Sequence, residues 1–205
     1  YSNELKRIQD ISSNSFIKYR LTFAPLFQEF LEAGKEIFGM DSGIISRVQG
    51  ESYWIFSASS EMDIDTGSRF ELKDTLCKRI LNTGKAHYIG YPESRDHLER
   101  EDIFAYLGAP ITVGSQLFGT LNFFSTEPYS EVLAPHHLEI LELLADIIGK
   151  YIYLQREEQG RQAIEKELVN SQKRYEGLVE TQRDIILRIT PRCRISFANQ
   201  AFYDR

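Results

Sequence analysis

Cysteine, tryptophan, methionine and histidine are scarce in this 205-residue chain, with two, one, two and four copies. Cys77 and Cys193 cannot build a disulfide framework, and neither has His or Cys at ligand spacing, so no zinc site is expected and a reducing compartment suits both. Cations are outnumbered. Twenty-four Lys and Arg against 30 Asp and Glu leave a formal charge of −6, which argues against nucleic acid as the main partner, because neutralising successive phosphates takes concentrated positive charge. Long apolar runs are missing: none approaches the roughly 20 residues that cross a bilayer, and no basic-then-apolar leader opens the chain. A cytoplasmic protein with no transmembrane segment is the expectation. The first residue is Tyr1 rather than Met, which reads as a piece of something longer. A nucleophile beside a base, a phosphate-cradling glycine loop and a cluster of metal ligands are absent too, so these residues are expected to catalyse nothing and to bind no metal.

What is present is ordinary globular composition, 42% hydrophobic and 26% charged. Its centre is FAYLGAPITVGSQLFGTLNFFS, Phe104 to Ser125, which reads as a β-hairpin turning at Gly114-Ser115-Gln116 with Val113 opposite Leu117. That register sorts the hairpin into two faces. Leu107, Ala109, Ile111, Val113, Leu117, Gly119, Leu121 and Phe123 form an apolar face that needs helices against it. Tyr106, Gly108, Pro110, Thr112, Phe118, Thr120, Asn122 and Phe124 form the other, where rings mix with hydroxyl and amide groups as in a small-molecule pocket or a half-exposed sheet face. On this reading Leu121→Ala is a costly core truncation, and Asn122→Ala mostly spares stability.

Helical spacing marks a short segment at 3–11, a stronger one from about Thr22 to Phe38 ending at Gly39, and another over about 72–83 ending at Gly84. Residues 43–58 read as a second hairpin, turning at Gly50-Glu51 as type II′ requires, with Arg47 opposite Trp54 and Ile45 opposite Phe56. A short strand at 86–89 leads into a charged loop carrying Arg95, Asp96 and His97. The longest helix starts at Pro135 and turns polar after Leu154. A heptad runs along it, with Ile140, Ile147, Leu154, Leu168 and Tyr175 at a and Leu143, Ile164, Ser171 and Leu178 at d, broken at Lys150, Glu157 and Arg161, so a homodimer through this helix is expected. Residues 184–205 read as strand, turn, strand and a helix start, too few to bury a core, so Ile185, Leu187, Ile189, Ile195 and Phe197 are expected to find partners outside the segment.

SGIISRVQG, FELKDTLCKRILNTG, YLGAPITV and LFGTLNFFS, in that order and spacing, resemble a GAF domain of bacterial signalling proteins over about residues 20–155. The stretch SQKRYEGLVETQRDIILRITPRCRISFANQAF resembles the start of a PAS domain. The resemblance implies an α+β fold: a GAF-like antiparallel sheet with helices packed on one face, a long C-terminal linker helix and a truncated PAS β-hairpin. It divides the chain into a lead-in at 1–21, a sensor domain at 22–155, a coiled-coil-like linker at 156–183 and the incomplete PAS start at 184–205. The implied function is that of a regulatory sensor module of a multidomain signal-transduction protein, whose output is usually a two-component histidine kinase and less often a diguanylate cyclase. A structural dimerisation module without ligand is the alternative. Bilin-binding relatives carry Cys-His before the central hairpin; here Lys78 follows Cys77 and Arg194 follows Cys193, so no covalent bilin or other cofactor is expected.

Trp54, Tyr88, Tyr91, Arg95, Phe104, Tyr106, Phe118, Thr120, Asn122 and Phe124 are the candidate ligand-binding residues, and a core filled by its own rings explains the aromatic ones equally well. Cys77, beside Leu76 and Ile80 on an apolar face, reads as a packing residue. His136 and His137 read as a solvated first helical turn, since adjacent helical side chains point about 100° apart.

Overall fold

The central hairpin forms because two β-favouring runs flank a glycine that can take positive φ. In the computed structural model, which describes residues 2–9, 24–60, 64–90, 103–129 and 133–204, Gly114 has φ 64° and joins β5, Ala105–Val113, to β6, Gln116–Ser125. Gly50 has φ 59° and does the same between β1, Ser42–Gln49, and β2, Ser52–Ser59, while Glu51 keeps negative φ as type II′ asks. With β3, Arg69–Glu71, and β4, His87–Gly90, these strands make a sheet of order β3-β2-β1-β6-β5-β4 in which every pairing is antiparallel.

The body of the central hairpin has the expected register, Leu107 facing Phe123 and Ala109 facing Leu121. Near the turn it does not. Val113 pairs with Gln116 and Thr112 with Leu117, and a bulge then leaves Phe118 as an extra residue before Ile111 meets Gly119. One inserted residue reverses the facing of both neighbours, so Leu117 lies half in solvent and Phe118 is buried among the helices. A matching bulge in β2 sets Ile45 opposite Ser57 rather than Phe56.

Helices cover both faces. Residues 2–9 form α1, Ala24–Phe38 form α2 and Pro135–Glu180 form α4. Ile8, Leu26, Phe27, Phe30, Leu31 and Phe38, with Ile140, Leu141, Leu144 and Ile148, make one cluster with Ile45, Leu107, Ile111, Leu121 and Phe123, as the apolar face required. Close approach is built in: a Cβ on Gly149 of α4 would strike the Thr112 carbonyl oxygen of β5. The opposite face carries the 3₁₀ turn Leu72–Asp74 and the two-turn α3, Cys77–Thr83, capped by Gly84 at φ 65°. Its Leu76, Cys77 and Ile80 pack on Tyr53, Ile55, Tyr106 and Phe124.

The chain divides into two units, Tyr1–Gln155 and Arg156–Arg205, and α4 runs from one into the other. In the second unit, β7, Leu187–Ile189, pairs with β8, Ile195–Ala198, ahead of α5, Gln200–Tyr203. Ile185, Leu187, Ile189 and Ile195 are exposed and Phe197 is half-buried, so within the chain the first four gain no cover from the linker helix. Hydrogen bonds rather than packing hold this hairpin. Asn199, fully buried, accepts from the Ile186 N–H through Oδ1 at 2.9 Å and donates through Nδ2 to the carbonyls of Val179, Gln182 and Asp184. Glu180 Oε2 takes the Gln200 N–H at 2.8 Å, so the end of α4 and the start of α5 share two anchors.

Candidate functional site

On the α3 face the middle of the sheet holds buried polar groups in an apolar surround. Ser46 of β1, Tyr53 of β2, Tyr106 of β5, Thr120 and Asn122 of β6 and Cys77 of α3 are all buried. Strand alternation places them: Tyr106, Thr120 and Asn122 share the face opposite Leu107, Leu121 and Phe123, and Ser46 lies between the inward Ile45 and the exposed Arg47. Buried polar atoms need partners, and here each supplies another's.

The Tyr106 hydroxyl donates to Asn122 Oδ1 at 2.5 Å, which leaves the Cys77 thiol as donor in its 3.2 Å contact with the Tyr106 oxygen. Asn122 Nδ2 donates to Tyr53 Oη at 3.2 Å and to Thr120 Oγ1 at 3.0 Å. Thr120 Oγ1 gives its proton to Ser46 Oγ at 2.7 Å, because the Ser46 proton goes elsewhere. Ser46 Oγ also accepts the Thr120 N–H at 3.1 Å and returns its own proton to the Thr120 carbonyl at 3.2 Å. None of these bonds needs a charge, and Tyr53 Oη also lies within hydrogen-bonding reach of Cys77 and Ser46. Gly108, opposite Asn122, leaves it room: a Cβ there would stand 3.0 Å from Asn122 Oδ1 and 2.9 Å from Ile80 Cγ1.

Burial raises the ionisation of both tyrosines well above the ordinary range, with Cys77 adding in the same direction. The folded state keeps these protons after the unfolded state has released them, so the stabilisation is fully present below about pH 10 and is lost progressively as pH rises beyond it. Thermal midpoints measured through that window should fall, and Tyr106→Phe should flatten the fall. An alkaline slope identical in the variant would sink this assignment.

The ten candidate residues divide. Tyr106, Thr120 and Asn122 belong to the network, and Phe124 packs with them in the same cluster. Phe104, half-buried, opens β5 with its N–H on the Ser125 carbonyl at 2.8 Å. Tyr88 packs against the larger, helix-side cluster instead. Phe118 is there too, edge-on to Phe56 with ring centroids 5.3 Å apart, because the bulge turned it away from the pocket face. Trp54 points the other way from Tyr53 and is 37% exposed, so it lines no pocket with Tyr106. Tyr91 and Arg95, with Asp96 and His97, lie outside the described residues. Sequence reasoning missed Tyr53 and Ser46. Their partners lie far along the chain, and only the alternation of Tyr53 with Trp54 offered a signal.

The histidine pair is less solvated than expected. Glu4 of α1 reaches both, with Oε2 3.6 Å from His136 Nε2 and Oε1 3.9 Å from His137 Nε2. Three such groups converge as metal ligands do, yet His137 Nδ1 accepts the Ala134 N–H at 3.1 Å, which puts the neutral ring's proton on Nε2 and leaves no lone pair toward Glu4. The arrangement fits an end-of-helix clasp between α1 and α4 better than a metal centre.

A family model described as the GAF domain matches residues 23–152. This chain belongs to the GAF domain family. Solved structures agree in fold at low identity. The chromophore-binding domain of an unusual bacteriophytochrome from R. palustris aligns with TM-score 0.59 and 12% identity, over 78% of this chain and 63% of that one. The GAF domain of a phosphoenolpyruvate-protein phosphotransferase from Acinetobacter aligns with TM-score 0.61 and 12% identity over 73% and 92%. A phycoerythrobilin-bound GAF domain from a cyanobacterial phytochrome aligns with TM-score 0.62 and 14% identity over 77% and 98%. The chain thus spans less than two thirds of the bacteriophytochrome domain. No curated protein matches it. Within the GAF domain, the hydrogen-bonded network sits at the centre of the sheet, under α3. No helix among the described residues is long and apolar enough to cross a membrane.

Proposed function

We propose that this GAF chain is a regulatory segment of a signalling protein, in which the state of the domain is passed along α4, paired with a second copy of itself, to a PAS domain beginning at β7. One observation carries the reading: a single unbroken helix packs on the sheet through Ile140, Leu144 and Ile148 and continues as a solvated rod whose Ile164, Leu168, Tyr175 and Leu178 are exposed at heptad spacing. Side chains of that size repeated along one seam are what a parallel partner helix would cover. Gly160 lies between the two good stretches of the seam, with open space where a Cβ would go, and makes a weak joint. The output in this reading is a histidine kinase or a diguanylate cyclase elsewhere in the protein, with catalysis outside these residues.

The second reading, a structural dimerisation module, is favoured by the network itself, whose donors and acceptors already satisfy one another. A small ligand in a sensor would have to exchange hydrogen bonds with Tyr53, Tyr106 or Asn122. Neither reading calls for a covalent bilin: Cys77 is buried beneath Tyr106 and is followed by Lys78, although several structural relatives are phytochromes. Native mass spectrometry of the purified chain separates the readings. A dimer retaining a small molecule supports the sensor, and a dimer without one supports the structural module. A monomer at high concentration overturns both, and visible absorption that survives denaturation overturns the cofactor assignment.

A further inference from the structure

Away from the network, the outer half of the sheet carries a row that the sensor reading does not use. Arg47 pairs with Trp54 across β1 and β2, and Trp54 pairs with Arg69 across β2 and β3, so the three side chains stand abreast on the face opposite Val48, Tyr53 and Phe70. All three are exposed, and Trp54 is the only tryptophan of the chain. The Arg69 guanidinium lies over the indole, 5.4 Å from its centroid, and donates to Ser52 Oγ at 2.8 Å. That contact holds the ring in place at its exposed site.

Glu71, two residues along β3 from Arg69, is held in its charged form by Lys73 first and by Arg69 least, and it pairs with Lys73, Nζ to Oε2 2.6 Å. Among the described residues no carboxylate forms an ion pair with Arg47 or Arg69. Lys73 is answered by Glu71 and Asp74 together, which leaves Arg47 and Arg69 as the cations of this face without a carboxylate partner among the described residues. Arg47 beside the indole and Arg69 over it each keep N–H donors for a carboxylate, and the exposed part of the ring lies with them.

We propose that this row is a docking site for an extended acidic peptide of a partner protein, with one carboxylate on Arg47, one on Arg69 and an apolar side chain on Trp54. The spacing suits it. Two strand separations root the arginines roughly 10 Å apart, and acidic residues at positions i and i+4 of an extended segment lie about 13 Å apart with residue i+2 on the same face between them, a span that two arginine side chains reach. A single-stranded nucleic acid would also stack on an indole, but its evenly spaced phosphates need a continuous basic track, and here two arginines sit in an acidic protein.

The lone tryptophan makes the test direct, because its emission reports this row and nothing else in the chain. The 205-residue protein is titrated at low salt with the blocked peptide Glu-Ser-Leu-Ser-Glu, with Gln-Ser-Leu-Ser-Gln and with an oligothymidylate. The expected result is a saturable change with the acidic peptide alone, weakened about tenfold or more in the Arg47→Gln, Arg69→Gln protein. A dye-labelled acidic peptide followed by polarisation against Trp54→Ala gives a second reading that needs no indole, and loss of binding is expected there too. The site is overturned by a flat titration, by equal binding of the glutamine peptide, by binding that survives either set of substitutions, or by tighter binding of the oligothymidylate.

Discussion

Phe123→Ala is expected to cost about 3–5 kcal/mol of folding stability, at the upper end for a core truncation. Phe123, near the end of β6, is fully buried and packs on Phe38 of α2 with ring centroids 5.0 Å apart. The surroundings have been cut to fit it. Gly34 of α2 and Gly43 of β1 both face the ring, and a Cβ on either would overlap it. Removing the ring leaves a space bounded on two sides by backbone with no side chain to relax inward, and cavities that cannot collapse are the costly ones. Leu117→Ala, six residues back on the same strand and 49% exposed, is expected to change stability by under about 0.5 kcal/mol. Urea unfolding of the two variants decides the matter. Equal losses would mean that the bulge at Phe118 is misplaced and the faces of β6 are exchanged near the turn.

That pair of residues also shows what the sequence could and could not reveal. Leu107, Ala109, Ile111, Leu121 and Phe123 alternate with polar or small residues, and period two is enough to fix the hairpin's register over its body. A bulge has no such signature. Phe118 and Phe56 are both supernumerary residues, and a phenylalanine fits the pattern of either face, so the slip at each was invisible. Trp54 was misplaced for a related reason: in SYWIFSA rings and aliphatics follow one another without a polar beat, and what turns Tyr53 inward is a hydrogen bond to Asn122, 69 positions away in the chain. The expectation about His136 and His137 considered one helix at a time, while Glu4 arrives from another. At the far end, apolar residues in β7 and β8 implied a missing cover, whereas the hairpin's order comes from one amide, Asn199, and apolar periodicity says nothing about that.

Asn122→Ala reverses an expectation most directly. Read as a face-lining residue it should be nearly free to change; in the structure it is 1% exposed and is the junction through which Tyr106, Tyr53 and Thr120 are joined. Alanine removes one acceptor and two donors at once. The Tyr106 hydroxyl loses the acceptor for its proton, with the Cys77 sulfur at 3.2 Å as its remaining neighbour in the network, and Tyr53 Oη and Thr120 Oγ1 each lose a donor. A buried polar group left short costs about 1–3 kcal/mol, so the variant should lose roughly 2–4 kcal/mol, comparable to a core truncation although almost no apolar area is involved. In a domain of this size each kcal/mol lowers the thermal midpoint by about 2–4 °C. Tyr106→Phe removes the proton that Asn122 Oδ1 accepts, and the two substitutions should not add: once the amide is gone, loss of the tyrosine hydroxyl removes a group already unsatisfied. A double-mutant cycle should therefore give a coupling of about 0.5–3 kcal/mol between them. Strict additivity, or a loss below about 0.5 kcal/mol for Asn122→Ala alone, would show that water or another group satisfies these atoms and that the network does not bind the centre of the sheet together.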